Sequence, residues 1–176
     1  LPPQHGAPLR LVVPDWYGMA SVKWLERIEA IDRAFDGVQQ ALGYHFRAAP
    51  GEKGVPCTRM RVNSLMAPPG IPDFYARRRC VDAGRVEIFG RAWSGAAPIR
   101  RVQFAAAGAW SEAALGSPAG AHAWREWRAS WNASPGAHEL RCRATDETGA
   151  TQPLEPVWDA TGFGNNSVQR VEVTVR

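Results

Sequence analysis

The sequence predicts a mainly β chain, with an antiparallel β-sandwich over residues 57–176, and three observations carry that expectation. Short runs of alternating apolar and polar residues recur along this part, the cleanest being Val168-Gln169-Arg170-Val171-Glu172-Val173-Thr174-Val175. Alternation with a period of two gives one face of a strand to a core and the other to water. Each run is followed by Gly, Pro, Ser or Asn, which supply turn geometry. No helical periodicity is signalled between the runs. Strands of this length and spacing indicate two packed sheets of the immunoglobulin-like kind.

The expected strands follow in chain order. Arg59–Leu65 comes first, interrupted by Pro68-Pro69-Gly70-Ile71-Pro72 and by the basic cluster Arg77-Arg78-Arg79. Arg85–Ser94, Ile99–Phe104, Ala109–Leu115 and His122–Trp131 come next. In Glu139–Thr145 the residues Leu140, Cys142 and Ala144 alternate with Arg141, Arg143 and Thr145, which sets the first group to the core. Val168–Val175 closes the chain. Trp93, Trp110, Trp124, Trp127 and Trp131 are expected to fill the sandwich core or an interface, because large aromatic rings dominate both.

The first part reads differently. The run Leu9-Arg10-Leu11-Val12-Val13, closed by Pro14, reads as a buried strand, and Pro14-Asp15-Trp16-Tyr17-Gly18 as a turn. Val22–Ile31 fits neither period, but its β-branched residues and Trp24 tilt it towards a strand. Asp32–Gln40 reads as turn and loop, and Ala41–Arg47 as extended chain. Two prolines and two glycines between Ala48 and Pro56 mark a linker, set at residues 50–56, between a first domain over 1–49 and the sandwich. His5, Arg10 and Lys23 fall on one short strand-and-turn segment. Cationic and donor groups gathered this way suit an anion, since Arg and Lys give charge and hydrogen bonds to phosphate or sulfate oxygens. The competing reading makes each a solvated surface residue.

The 176 residues allow one good core, or one core and part of another. A hydrophobic content of 45% with 22% charged residues describes an ordinary globular composition. The net charge of +4 is too small and too scattered for a nucleic-acid footprint. No apolar run approaches the roughly twenty residues that span a bilayer. No charged segment leading into an apolar one reads as a signal peptide, and a chain opening on Leu1-Pro2-Pro3-Gln4 is expected to be a fragment or processed product. Periplasm and cytoplasm are equally open as compartments. Cys57, Cys80 and Cys142 lack CxxC spacing and paired histidines, which argues against zinc and for structural thiols, with a bridge between one pair the alternative in an exported protein.

Word order adds a resemblance. His5-Gly6-x-Pro8-Leu9-Arg10-x-Val12-x-Pro14, followed by Trp16-Tyr17-Gly18-Met19-Ala20-Ser21-Val22-Lys23-Trp24-Leu25, resembles the end of the molybdopterin-binding domain of the sulfite oxidase family. Gly90-Arg91-Ala92-Trp93-Ser94-Gly95, Trp124-x-x-Trp127-x-x-x-Trp131, Ala144-Thr145-Asp146, Val157-Trp158-Asp159 and Gly162-x-Gly164-Asn165-Asn166-x-x-x-Arg170-Val171 resemble its C-terminal dimerisation domain. The resemblance covers nearly the whole chain. It implies that residues 1–49 end a mixed α+β molybdopterin-binding domain and that the sandwich is a homodimerisation domain.

The family's cofactor is a molybdenum–molybdopterin, whose pterin and phosphate need donors at fixed positions. By resemblance Arg10 and Lys23 meet its anionic or polar atoms, His5 gives a hydrogen bond, and Ser21 and Val22 make backbone contacts. Asp15 stands where the family more often has Gly, and is expected to point outward, since an acid would repel an anion. Arg170 resembles the arginine that this domain contributes towards the substrate pocket, and a planar, always-charged guanidinium suits a tetrahedral oxyanion. The plainer alternative makes Arg170 the outward residue of an alternating strand. None of the three cysteines lies where the family's metal-binding cysteine lies, so the chain alone is expected to be inactive. The activity implied is oxidation of sulfite or a related sulfur oxyanion, with electrons passing to a cytochrome or another acceptor. A stand-alone dimerisation module without catalysis is the alternative, and a glycan-binding sandwich using exposed Trp a weaker one.

Overall fold

A computed structural model describes all residues except 73, 74, 76, 77 and 107. Arg77, part of the basic cluster, lies outside the described residues. The chain divides into two compact units, one of Leu1–Arg61 with Val157–Asn165 and the other of Val62–Pro156 with Asn166–Arg176.

The second unit is the sandwich. Among its described residues the strands are β3 (Asn63–Met66), β4 (Ile71–Pro72), β5 (Arg79–Val81), β6 (Gly84–Trp93), β7 (Ile99–Ala106), β8 (Trp110–Glu112), β9 (Ala114–Leu115), β10 (Arg125–Ala133), β11 (Gly136–Asp146) and β12 (Gln169–Val175). A four-stranded sheet runs in the order β3-β6-β10-β9 and a six-stranded sheet in the order β4-β5-β12-β11-β7-β8. Every pairing is antiparallel except β12 with β5. The mainly β, immunoglobulin-like class read from the sequence is the class observed.

The core lies between the sheets. Ile88 and Ala92 on β6, Trp127 and Trp131 on β10, Leu140, Cys142 and Ala144 on β11, and Val171, Val173 and Val175 on β12 are all buried, each at the inward phase of its strand. Gly90 lies directly opposite Trp127 in the β6–β10 ladder. A Cβ at Gly90 would come 2.2 Å from the Leu65 carbonyl oxygen and 2.5 Å from the Trp127 ring, so the close approach of strand and indole requires glycine. The stretch expected as one strand over Ala109–Leu115 is two, because the chain changes sheets at buried Ala113.

Buried polar groups hold the ends of the sandwich. Gln152, 2% exposed, donates from Nε2 to Asn63 Oδ1 (2.9 Å) and to the Asn166 carbonyl (3.1 Å), while its Oε1 accepts from the Ala144 N–H (2.8 Å). Asp146 accepts at Oδ2 from the Ser94 hydroxyl (2.8 Å) and at Oδ1 from the Thr148 hydroxyl (2.6 Å) and N–H (3.0 Å). Each replaces the water that burial removes.

The first unit departs from its sequence reading in three places. Leu9–Val13 is not a strand and is not buried, since Leu9 is 55% and Val12 71% exposed. A strand needs a ladder, and here the run has two backbone bonds to the returning chain, Leu11 N–H to Val22 O and Leu25 N–H to Leu9 O, both 2.9 Å. Val22–Ile31 is irregular, with Trp24 at φ +52°, a left-handed value that breaks an extended chain. Gln39–Gly43, which joins the end of the stretch read as loop to the start of the one read as extended, is a single π-helical turn leading into β1 (His45–Phe46), which pairs with β2 (Val55–Pro56).

Candidate functional site

The sequence-predicted cofactor residues meet in one knot of the first unit. A 3₁₀ turn over Pro3–His5 ends on Gly6 at φ +108°, a value that favours glycine. A side chain on Gly6 would also press on Lys23, with the added Cβ 3.0 Å from Lys23 Cα and Cβ. This small residue therefore lets the segments 3–6 and 22–25 lie against each other. Trp24 Nε1 donates to Pro3 O (2.9 Å) and Lys23 Nζ to Gln4 O (2.8 Å). Arg10 ties the knot from its centre, with Nη1 donating to His5 O (3.1 Å) and Nε to Ser21 O (3.2 Å). Ser21 Oγ accepts from the Val13 N–H (3.3 Å), and Val22 O from Leu11.

His5, Arg10, Ser21, Val22 and Lys23 are thus brought together, while Arg170 stands in the other unit. The knot presents a guanidinium, an ammonium, an imidazole and a hydroxyl. Carbonyl acceptors hold Arg10 and Lys23 in place without neutralising their charge, and Arg10 uses two of the five N–H donors a guanidinium has. A donor set of this kind fits a group with anionic and polar edges. Asp15 has φ +68°, in the region glycine prefers and Asp tolerates.

Arg170 lies on β12 with its guanidinium between two carboxylates, Glu139 (3.4 Å from Nη1) and Glu155, and with Nη2 also donating to the Leu154 carbonyl (3.4 Å). The cysteines are unpaired. Burial pushes the Cys57 thiol up, reinforced by Asp159, and pushes Cys142 up to about 11. Both therefore stay protonated near neutrality, the state of a structural thiol. Among the described residues no group of three or more His, Cys, Asp or Glu is placed to hold a metal ion. No helix among them is long and apolar enough to cross a membrane.

Sequence reasoning missed how Val157–Asn165 belongs to the first unit. Asp159 accepts at Oδ2 from the Arg47 N–H (2.8 Å) and at Oδ1 from the N–H (2.9 Å) and hydroxyl of Thr161. Trp158 Nε1 donates to Ala48 O (3.1 Å), Arg61 Nη1 to Gly164 O (3.2 Å), and the Arg61 guanidinium lies 3.9 Å from the Phe46 ring centroid. The Asp-x-Thr spacing was the available signal, since Asp side chains close such turns on the residue two positions on.

The Thr161 hydroxyl, with backbone N–H groups, lowers the Asp159 carboxyl from 3.8 to about 2. A depressed folded value means that the carboxylate's support is complete above the ordinary range and is lost as pH falls through about 2. Trp158 fluorescence followed in acid should report release of the segment, and Thr161→Val should move that release to higher pH. A titration unchanged by Thr161→Val would refute the hydroxyl's role.

Comparison with known proteins identifies the family. A family model described as "Oxidoreductase molybdopterin binding domain" matches residues 1–39, and one described as "Mo-co oxidoreductase dimerisation domain" matches residues 56–176. The chain is 31% identical to human mitochondrial sulfite oxidase over 99% of its length, and 30% identical to the nitrate reductase [NADH] of Ulva prolifera over 98%. These alignments cover 34% and 22% of the respective relatives, so the chain spans about a third or less of the curated proteins it matches. The crystal structure of the sulfane dehydrogenase SoxCD from Paracoccus pantotrophus superimposes with a TM-score of 0.82 at 26% identity, covering 100% of this chain and 48% of that one. With the dimerisation-domain match extending over well more than half of its residues, the chain belongs to the sulfite oxidase family of molybdopterin-dependent oxidoreductases.

Proposed function

We propose that the chain is the C-terminal portion of an enzyme that oxidises sulfite or a related sulfur oxyanion to sulfate, passing electrons to a cytochrome or another acceptor. It supplies one wall of the cofactor pocket and a homodimerisation domain. The observation that carries this reading is the knot, in which Arg10 binds the carbonyls of both His5 and Ser21 and so fixes the spacing of the donors.

The bound molybdenum cofactor supplies the two-electron redox chemistry. In this reading Arg10 and Lys23 hold its anionic edge by charge-assisted hydrogen bonds, His5 donates to its polar edge, and Ser21 and Val22 contribute backbone groups. The metal's thiolate ligand is none of Cys57, Cys80 or Cys142, and this chain by itself does not turn over. The first domain runs over 1–49 and the sandwich over 57–176 in this assignment, with 50–56 between them.

Arg170 is assigned to the substrate anion. Its guanidinium now sits between Glu139 and Glu155, and those carboxylates oppose an incoming oxyanion. In the complete enzyme, Arg170→Met should raise the KM for sulfite about tenfold or more, the value of one charge-assisted hydrogen bond. Glu155→Gln should lower it. An unchanged KM in both variants would reduce Arg170 to an outward strand residue.

A further inference from the structure

Arg141 and Arg170 stand directly opposite each other in the β11–β12 ladder, both on its outward side, since Leu140, Cys142 and Val171 beside them are buried. Like charges directly opposite on neighbouring strands repel. A single carboxylate oxygen offsets this, because Glu139 Oε1 lies 3.4 Å from Arg170 Nη1 and 3.6 Å from Arg141 Nε. The two contacts differ in kind. The first is within hydrogen-bond range, whereas the second is an ion pair without a hydrogen bond. Arg141 Nε is buried and, among the described residues, has no hydrogen-bond acceptor. A buried donor without an acceptor has lost its water and gained nothing in exchange.

Arg141 cannot move to relieve this. Its Nη2 donates to Gly108 O (3.3 Å), and its guanidinium lies 5.2 Å from the Trp110 ring, with Arg143 at 4.3 Å from the same ring. The Arg141 side chain is 20% exposed and that of Glu139 42%, so Glu139 is the member with room to shift. A small displacement of the carboxylate towards Arg141 would make the missing bond and lengthen the one to Arg170. The two guanidiniums thus compete for one oxygen, and only Arg170 has its other nitrogen on the exposed Glu155.

We propose that Arg141 is a positioning residue for Arg170. When the substrate anion draws Arg170 away, Glu139 passes to the Arg141 Nε–H, so that neither the carboxylate nor the buried donor is left without a partner. The inference rests on the assignment of Arg170 to the substrate anion and adds how that arginine is released from its own strand neighbours.

In the complete enzyme, Arg141→Met should raise the KM for sulfite about tenfold with kcat unchanged. The loss falls on binding and is that of one charge-assisted hydrogen bond. Simple removal of positive charge predicts the same rise for Arg143→Met at the next outward position of β11, whereas the handover predicts a KM within about twofold of wild type there. In a Glu139→Gln background Arg141→Met should have no further effect on KM, since the carboxylate to be handed over is gone. Glu139→Gln alone should lower KM about threefold, because a neutral amide holds Arg170 less firmly, and this variant decides the matter if Arg141→Met fails to fold. An unchanged KM in Arg141→Met or in Glu139→Gln, an equal rise in Arg143→Met, or a rise that persists in the Glu139→Gln background would each overturn the handover and leave the assignment of Arg170 standing. An unchanged KM in Arg170→Met would overturn both.

Discussion

Replacing Gly90 by Val is expected to cost the sandwich unit about 3 kcal/mol or more, the upper range for forcing atoms into a packed interior. The reason is local and has two sides. A Cβ there falls 2.2 Å from a backbone carbonyl of β3 and 2.5 Å from the ring of Trp127, and neither is the free end of a flexible side chain. Relief requires β3 to leave the sheet edge or the indole to leave the core. Trp127 is fully buried, and removing it by Trp127→Ala should itself cost about 3–5 kcal/mol. The informative measurement is therefore the double-mutant cycle with Gly90→Ala, read from denaturant midpoints. If the indole is what opposes the new methyl group, Gly90→Ala should cost less in the Trp127→Ala background than alone. Equal costs in both backgrounds would shift the burden to the Leu65 carbonyl.

Replacing Arg10 by Ala in the complete enzyme should lower cofactor retention about 10- to 100-fold, as expected for losing charge-assisted hydrogen bonds worth roughly 1.5–3 kcal/mol. Arg10 acts twice in the proposed pocket, as a cation and as the link between His5 and Ser21. Arg10→Lys separates the two, because a single ammonium keeps the charge but cannot reach two carbonyls as a planar fork does. Molybdenum and pterin content of the purified protein, measured under dialysis, is the readout. Arg10→Ala protein that retains wild-type cofactor content would remove Arg10 from the pocket.

Much of the sandwich was legible because its strands obey period two without interruption. Leu140, Cys142 and Ala144 were assigned inward from alternation alone, and all three are buried. The break at Ala113 was not legible, since a strand that changes sheets keeps its alternation and shows no turn residue. The first unit misled for a different reason. Leu9–Val13 has the composition of a buried strand, and composition reports what a segment could pack against, not whether a partner strand is there. The cluster of His5, Arg10 and Lys23 was visible in the sequence, whereas the carbonyls that position them were not. Backbone acceptors carry no sequence signature. The bond of Asp159 to Arg47 spans 112 positions, beyond the reach of any local pattern.

That separation has a consequence for the order of events in folding. Closing a flexible loop becomes costlier with length, by about 0.6 kcal/mol per doubling. Bringing residue 159 to residue 47 directly, through 112 positions of loose chain, would be among the slowest closures available to this polypeptide. Once β11 and β12 have paired, residues 147–168 become a short loop fixed at both ends, and the search shrinks to that of a tethered segment. Pairing of β11 with β12 thus lowers the cost of the closure that completes the first unit.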